Sequence, residues 1–223
     1  MTTSHEGTES LLVRLSHLDA CAASDALDRL GLTGAVSGIS RLTTTRRVCG
    51  RVITVRMGRY EGLTPASHLG TRAVEAAQPG DVIVMEQRTG IDAACWGGNL
   101  SLGATLRQVA GVIVEGPARD IDDARDYDFA VFARSVTSRT ARGRIVEVAT
   151  NVPISVGDVT VNPGDFVVAD ASGVVFIAQE NVERVLEAAD AVIARERAMV
   201  AALREGTPIS QVMGTGYETM LKK

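Results

Sequence analysis

The hydrophobic positions fall into three patterns along the chain. Near the N-terminus they recur at helical spacing. Leu11, Leu12, Leu15 and Leu18 mark one face of a helix over 11–21, and Ala26, Leu27 and Leu30 mark another over 22–30. Ser24 reads as an N-cap, and the Ser24-Asp25 pair suits either capping or a ligand contact. Gly31 is a usual stop. In the middle, short fully apolar runs alternate with helical stretches. Val48–Met57 and Val82–Met85 read as strands, with a helix over 64–77 between them that carries His68 near its start. His68 suits surface packing or a catalytic base. A helix over 100–109 follows, with Asn99 as N-cap and Gly111 as stop. Then come the strand Val112–Val114, a short acidic helix over 121–127 and the strand Ala130–Ala133. Strand, helix, strand, short helix, strand over 81–133 predicts right-handed parallel crossovers, in which strands covered on both faces lose their polar alternation.

After residue 140 the pattern turns to β. A strand over 142–148 precedes the alternating runs Ile154–Val156 and Val159–Val161, which flank Gly157-Asp158 as a hairpin. Phe166–Asp170 and Gly173–Ile177 pair across Ala171-Ser172. A long helix over 180–205 places Val182, Val185, Leu186, Ala189, Val192 and Ile193 on one face, and Gly206 stops it. The predicted whole is one α/β domain over 1–223 with a β-rich second layer. Residues 1–10 form a flexible tail. Residues 207–223 form an interaction tail carrying Met213, Tyr217, Met220 and Leu221.

Composition narrows the function classes. With 223 residues and 45% hydrophobic content, the chain can bury a sizeable core. A net charge of -4, no basic stripe and 4% aromatics argue against nucleic acid as a partner. No apolar run reaches a membrane-spanning length, and the polar residues 1–10 do not read as a signal peptide. Cys21, Cys49 and Cys95 have neither metal-ligand nor disulfide spacing, which fits a reduced, cytoplasmic setting. His5, His17 and His68 are scattered and give no triad or zinc site.

The chemistry concentrates in two stretches, Trp96-Gly97-Gly98-Asn99-Leu100 and Gly116-Pro117-Ala118-Arg119-Asp120. Gly97 and Gly98 let a ligand approach the backbone, and the first N–H groups of the following helix favour a carboxylate or phosphate. Arg119 can clamp a carboxylate with two parallel hydrogen bonds, and Asp120 offers hard oxygens to Mg²⁺ or Mn²⁺. Both fall just past the end of a strand, where ligands gather in open α/β sheets. The plainer reading is an Arg-Asp ion pair capping the next helix beside a Gly-Gly turn. Asp122, Asp123 and Asp126 read as a solvated helix face, with one of them available to hold water around a metal at Asp120.

These residues resemble a known family. Gly111-Val112-Ile113-Val114-Glu115-Gly116 followed by Arg119-Asp120 looks like the Gly-x-x-x-x-Gly-x-x-Arg-Asp motif of the RraA-like family. That family includes the regulator of ribonuclease E activity and the 4-hydroxy-4-methyl-2-oxoglutarate aldolases. Ser24-Asp25-Ala26-Leu27, Pro79-Gly80-Asp81-Val82, Val161-Asn162-Pro163-Gly164-Asp165 and Ala169-Asp170-x-x-Gly173-Val174 match in the same order, over about residues 20–205. The resemblance implies a swivelling β/β/α fold of mixed sheets with flanking helices, and a homotrimer or hexamer with sites between subunits. It also implies a divalent-metal-dependent carbon–carbon lyase, aldolase or decarboxylase, releasing pyruvate from a small 2-oxo acid such as a 4-hydroxy-2-oxo acid or oxaloacetate. On that reading Asp120 ligates Mg²⁺ or Mn²⁺, and Arg119 holds the pyruvyl oxygens. Gly97, Gly98, Asn99 and Leu100 bind the substrate carboxylate, and Glu196 reaches towards a neighbouring subunit. One departure stands out. The catalytic members carry an acid separated from the arginine by twenty residues, the place that Gly98 takes here. Two further readings follow: a non-catalytic regulator that docks on another protein, or a lyase in which Gly98 makes room for a different substrate.

Overall fold

The computed structural model describes residues 3–62 and 67–214, with side chains from residue 10 onward. Helices α1 (Thr3–Ser16) and α2 (Ala20–Arg29) come first. The short strands β1 (Ala35–Val36) and β2 (Ser40–Arg41) precede the long β3 (Val48–Arg59). Then follow α3 (Thr71–Ala76), β4 (Val82–Glu86), α4 (Gly98–Leu106), β5 (Gly111–Ala118), α5 (Ile121–Asp126) and β6 (Val131–Val136). The β-rich part holds β7 (Ile145–Thr150), β8 (Ile154–Val156), β9 (Val159–Val161), β10 (Phe166–Ala169) and β11 (Val174–Ile177). Helices α6 (Val182–Arg204) and α7 (Ile209–Val212) end the described chain.

The main sheet is mixed, in the order β1-β11-β10-β3-β4-β5-β6-β2, with β7 also paired to β3. The run β3-β4-β5-β6 is parallel, as the crossover pattern over 81–133 predicts for β4, β5 and β6. The hairpins β8–β9 and β10–β11 are antiparallel, also as predicted. β3 is long enough to serve two neighbourhoods. Its first half pairs antiparallel with β10 through Val48–Arg51, and its second half pairs parallel with β4 from Val52.

Alternation along the central strands fills two cores. Ile83 and Met85 point to a core with Trp96, Leu100, Ala104 and Ala124, under α3, α4 and α5. Val82 and Val84 point to the opposite face, with Ile154, Val156 and Val161 of the β8–β9 hairpin. A third core lies where α1, α2 and α6 cover β10 and β11, with Leu15, Leu27, Val168, Ile177 and Leu186. No helix of the described residues is long and apolar enough to cross a membrane.

Several boundaries differ from the sequence expectation, each for a local reason. The first helix begins at Thr3 rather than at Leu11, because a helix anchored near its end by the buried Leu15 extends backwards at little cost. Ser24 lies inside α2, and Asp19 is the cap, its carboxylate accepting from Ala22 N at 2.7 Å. Helix α3 starts at Thr71 after Gly70, which takes φ 78° and donates its N–H to Glu147 Oε2 at 2.7 Å. His68 therefore precedes the helix. The expected start at Thr64 lies outside the described residues, as do Tyr217, Met220 and Leu221. Gly111 is the first residue of β5 rather than a helix stop. Gln108 makes the left-handed turn at φ 58°, and Val109 N bonds to Ala104 O at 3.0 Å. Gly31 and Gly206 close their helices as expected, at φ 67° and 91°.

Candidate functional site

Two loops leave the carboxyl ends of neighbouring parallel strands and lock together. The segment after β4 runs beside the end of β5. Cys95 N donates to Pro117 O at 3.1 Å, Trp96 bridges Ala118, and Arg119 N donates to Trp96 O at 3.0 Å. This backbone ladder places Gly97 and Gly98 against Arg119 and Asp120.

Trp96 fixes the first loop. Its indole is buried and stacks on Phe129 with centroids 5.9 Å apart, while Nε1 donates to Ser101 Oγ at 2.9 Å. Ser101 Oγ in turn donates to Gly97 O at 3.2 Å. The same carbonyl accepts from Ser101 N at 3.0 Å, so the helix starts at Gly98 with Gly97 as its cap. Asn99 is therefore not the cap. It lies in the first turn with its side chain exposed along the cleft. The cap function is filled from elsewhere: Gly98 N donates to Asp120 Oδ2 at 3.0 Å. That oxygen also lies 3.4 Å from Arg119 Nε. A carboxylate thus sits at the positive end of α4, where the helix dipole favours it.

Close approach explains the glycine pair. A Cβ on Gly97 would fall 2.7 Å from Asp120 Oδ2, and one on Gly98 would fall 2.4 Å from Asp123 Oδ2. Asp120 holds φ 53° and ψ 44°, a left-handed conformation that aspartate tolerates better than most residues. The turn aims its carboxylate back at α4.

The cleft brings together Gly97, Gly98, Asn99, Leu100, Arg119 and Asp120, the residues that the sequence selects. It adds His68 at the exposed rim and Asp123, and it continues towards Tyr60, Arg142 and Glu147. Cys95 also borders it, with burial pushing its thiol up to about 12. Glu196 is elsewhere. It stands on α6 beside Asp19 and Asp25, where burial and those two carboxylates raise its pKa. Within one chain it does not join Arg119 and Asp120. The Trp96–Ser101 pair escaped the sequence reading, although the spacing of a tryptophan and a serine across a helix start was there to be used.

Asp120 can offer its second oxygen, Oδ1, to a cation. Among the described residues, no three His, Cys, Asp or Glu side chains gather as a metal cage. This donor set suits a water-rich Mg²⁺, which commonly takes one or two carboxylates and keeps several waters.

Comparison with known proteins identifies the family. Protein DlpA of Legionella pneumophila is 27% identical over 202 residues, which cover 91% of this chain and only 33% of DlpA. A putative 4-hydroxy-4-methyl-2-oxoglutarate aldolase of Halalkalibacterium halodurans is 37% identical over 171 residues, 74% of this chain and 75% of that one. The crystal structure of Streptomyces coelicolor RraAS2, an unusual member of the RNase ES inhibitor RraA protein family, superposes with a TM-score of 0.75. It shares 24% identity and covers 84% of this chain and 94% of its own. The RraA-like (Aldolase/RraA) family model matches residues 20–176, from the start of α2 through the Arg119-Asp120 turn into β11. The chain therefore belongs to the RraA-like family.

Proposed function

We propose that this protein is a carbon–carbon lyase that releases pyruvate from a small 2-oxo acid, by aldol cleavage of a 4-hydroxy-2-oxo acid or by decarboxylation of oxaloacetate. The observation that carries the reading is the Gly98 N to Asp120 Oδ2 contact of 3.0 Å, which sets a helix start and an Arg-Asp pair in one cleft. The aldolase names among the relatives support it.

The residues divide the work. The terminal nitrogens of Arg119 have no partner among the described residues and can take the 2-oxo or carboxylate oxygens in a fork. The N–H groups of Asn99 and Leu100, two residues that line the same cleft, lack partners inside α4. In either reaction a carbon–carbon bond breaks and leaves the pyruvate enolate, which is then protonated at C3. Arg119 offsets the charge that develops on that enolate, the kind of electrostatic stabilisation that dominates such reactions. Asp120 would hold Mg²⁺ or Mn²⁺, and such an ion supplies Lewis-acid polarisation of the keto oxygen. Glu196 would reach a cleft only from a second copy of the chain, as in a homotrimer or hexamer.

The test is pyruvate formation from 4-hydroxy-4-methyl-2-oxoglutarate and from oxaloacetate, with Mg²⁺ and after chelation. Pyruvate from at least one acid, lost on chelation, supports the reading. No pyruvate from either acid contradicts it. A second reading, a non-catalytic regulator that docks on another protein, is favoured by glycine at position 98. A stoichiometric protein complex formed by a chain inactive on both acids would support that reading instead.

A further inference from the structure

The space over Gly98 is filled from another element. A Cβ on Gly98 would lie 2.4 Å from Asp123 Oδ2 and 3.2 Å from Asp123 Cβ and Cγ. Asp123 stands in the first turn of α5, a helix held by the fully buried Ala124. Its carboxylate therefore rests on the opening backbone of α4, inside the cleft that also holds Arg119 and Asp120.

Its neighbours are committed elsewhere, and it is not. Asp122 accepts from Arg125 at 2.7 Å, and Asp120 Oδ2 accepts from Gly98 N. Among the described residues the Asp123 carboxylate takes part in no hydrogen bond or ion pair. Two other groups in the cleft are already occupied or withdrawn from it. Burial holds the Cys95 thiol at about 12, and Asp120 already sits on Gly98 N–H beside Arg119. His68 stands at the exposed rim.

We propose that Asp123 is the proton-handling residue of this cleft, with a 4-hydroxy-2-oxo acid as the substrate class it serves. The inference rests on the lyase reading above. The carboxylate accepts the proton of the 4-hydroxyl. The O–H electron pair becomes the C4 carbonyl, and the C3–C4 pair passes into the pyruvate enolate. The resulting carboxyl gives the same proton to C3. Pyruvate and a second carbonyl compound leave, and the carboxylate is restored. Glycine at 98 is then a spatial requirement of the arrangement, since any larger residue would push the carboxylate away.

The experiment exploits a difference between two substrates. Oxaloacetate has no 4-hydroxyl proton to remove, whereas 4-hydroxy-4-methyl-2-oxoglutarate has one. In Asp123→Asn, aldol cleavage falls about 10² to 10⁴-fold and decarboxylation falls far less, so the ratio of the two rates drops by at least about tenfold. Asp123→Ala loses cleavage likewise. Adding Gly98→Asp to it restores part of the lost rate, because the new side chain enters the emptied space. The proposal is overturned if Asp123→Asn cleaves within about threefold of wild type, or if both reactions fall in parallel. It is also overturned if His68→Gln shows the selective loss instead. Wild-type protein inactive on both acids would remove the lyase reading itself, a distinct outcome.

Discussion

The backbone N–H of Gly98 and the carboxylate of Asp120, 22 positions apart in sequence, meet at 3.0 Å. This contact caps α4 and at the same time fixes the acid of the Arg119-Asp120 pair. Asp120 therefore has a structural role and a proposed chemical one, and two substitutions separate them. Asp120→Asn keeps an oxygen acceptor for Gly98 N and loses the negative charge. Asp120→Ala loses both. Thermal denaturation should show Asp120→Ala destabilised by about 0.5–2 kcal/mol, the usual loss for a helix cap, with Asp120→Asn nearer to wild type. Pyruvate release should fail in both.

Arg119 is argued to hold substrate oxygens in a fork, and lysine cannot reproduce that geometry. Arg119→Lys and Arg119→Ala should therefore both lower kcat, the alanine by about 10² to 10³-fold, the range seen for loss of one transition-state donor. Steady-state kinetics on the better substrate checks this.

The glycine that caps α4 and a glycine inside it should respond in opposite directions. Gly97→Ala drives a Cβ to 2.7 Å from Asp120 Oδ2 and should lower both stability and activity. Gly103 lies inside the helix, and its Cβ would meet only Val74 Cγ1 at an ordinary 3.7 Å. Gly103→Ala should stabilise the fold by about 0.5–1 kcal/mol. Paired melting curves test the contrast.

The hydrogen-bond chain from Trp96 to Gly97 predicts a third stability effect. Ser101→Ala leaves the buried Trp96 Nε1–H without its acceptor, at a cost of about 1–3 kcal/mol. Chemical denaturation reports it.

Glu196 gives a pH-dependent prediction. Burial, then Asp19 and Asp25, raise its folded-state pKa above the ordinary 4.5. The native state thus holds that proton more tightly than the unfolded chain. Charging Glu196 costs stability, and the cost develops as pH climbs from 4.5 through the raised value. Glu196→Gln should raise the melting temperature at neutral pH, and the gain should vanish below pH 4.5. A lower melting temperature at neutral pH would contradict this account of the α6 acids.

Much of the architecture was legible because burial leaves a mark on sequence. Val82–Met85 and Val112–Val114 are apolar at every position since both their faces meet a core, and together with the intervening helical stretches that points to parallel strands. Gly157-Asp158 and Ala171-Ser172 marked the hairpins. The two-residue strands β1 and β2 are too short to carry a period. Helix caps were read less well where the partner comes from afar. Asn99 is a good local cap, but Gly97 and the distant Asp120 fill the role. The site's location followed from Arg119-Asp120 at a strand end. The placement of Asp123 over Gly98 did not, since it depends on how closely α4 and α5 approach, and no spacing encodes that distance.

The central claim is that this cleft cleaves a 2-oxo acid with the help of the Asp120 carboxylate. The most direct measurement is the rate of pyruvate formation in the presence of Mg²⁺, by wild-type protein and by folded Asp120→Ala, on oxaloacetate and 4-hydroxy-4-methyl-2-oxoglutarate side by side. The account predicts turnover of at least one acid by the wild type and none above background by the variant. Equal rates from the two proteins, or no pyruvate from the wild type on either acid, would contradict it.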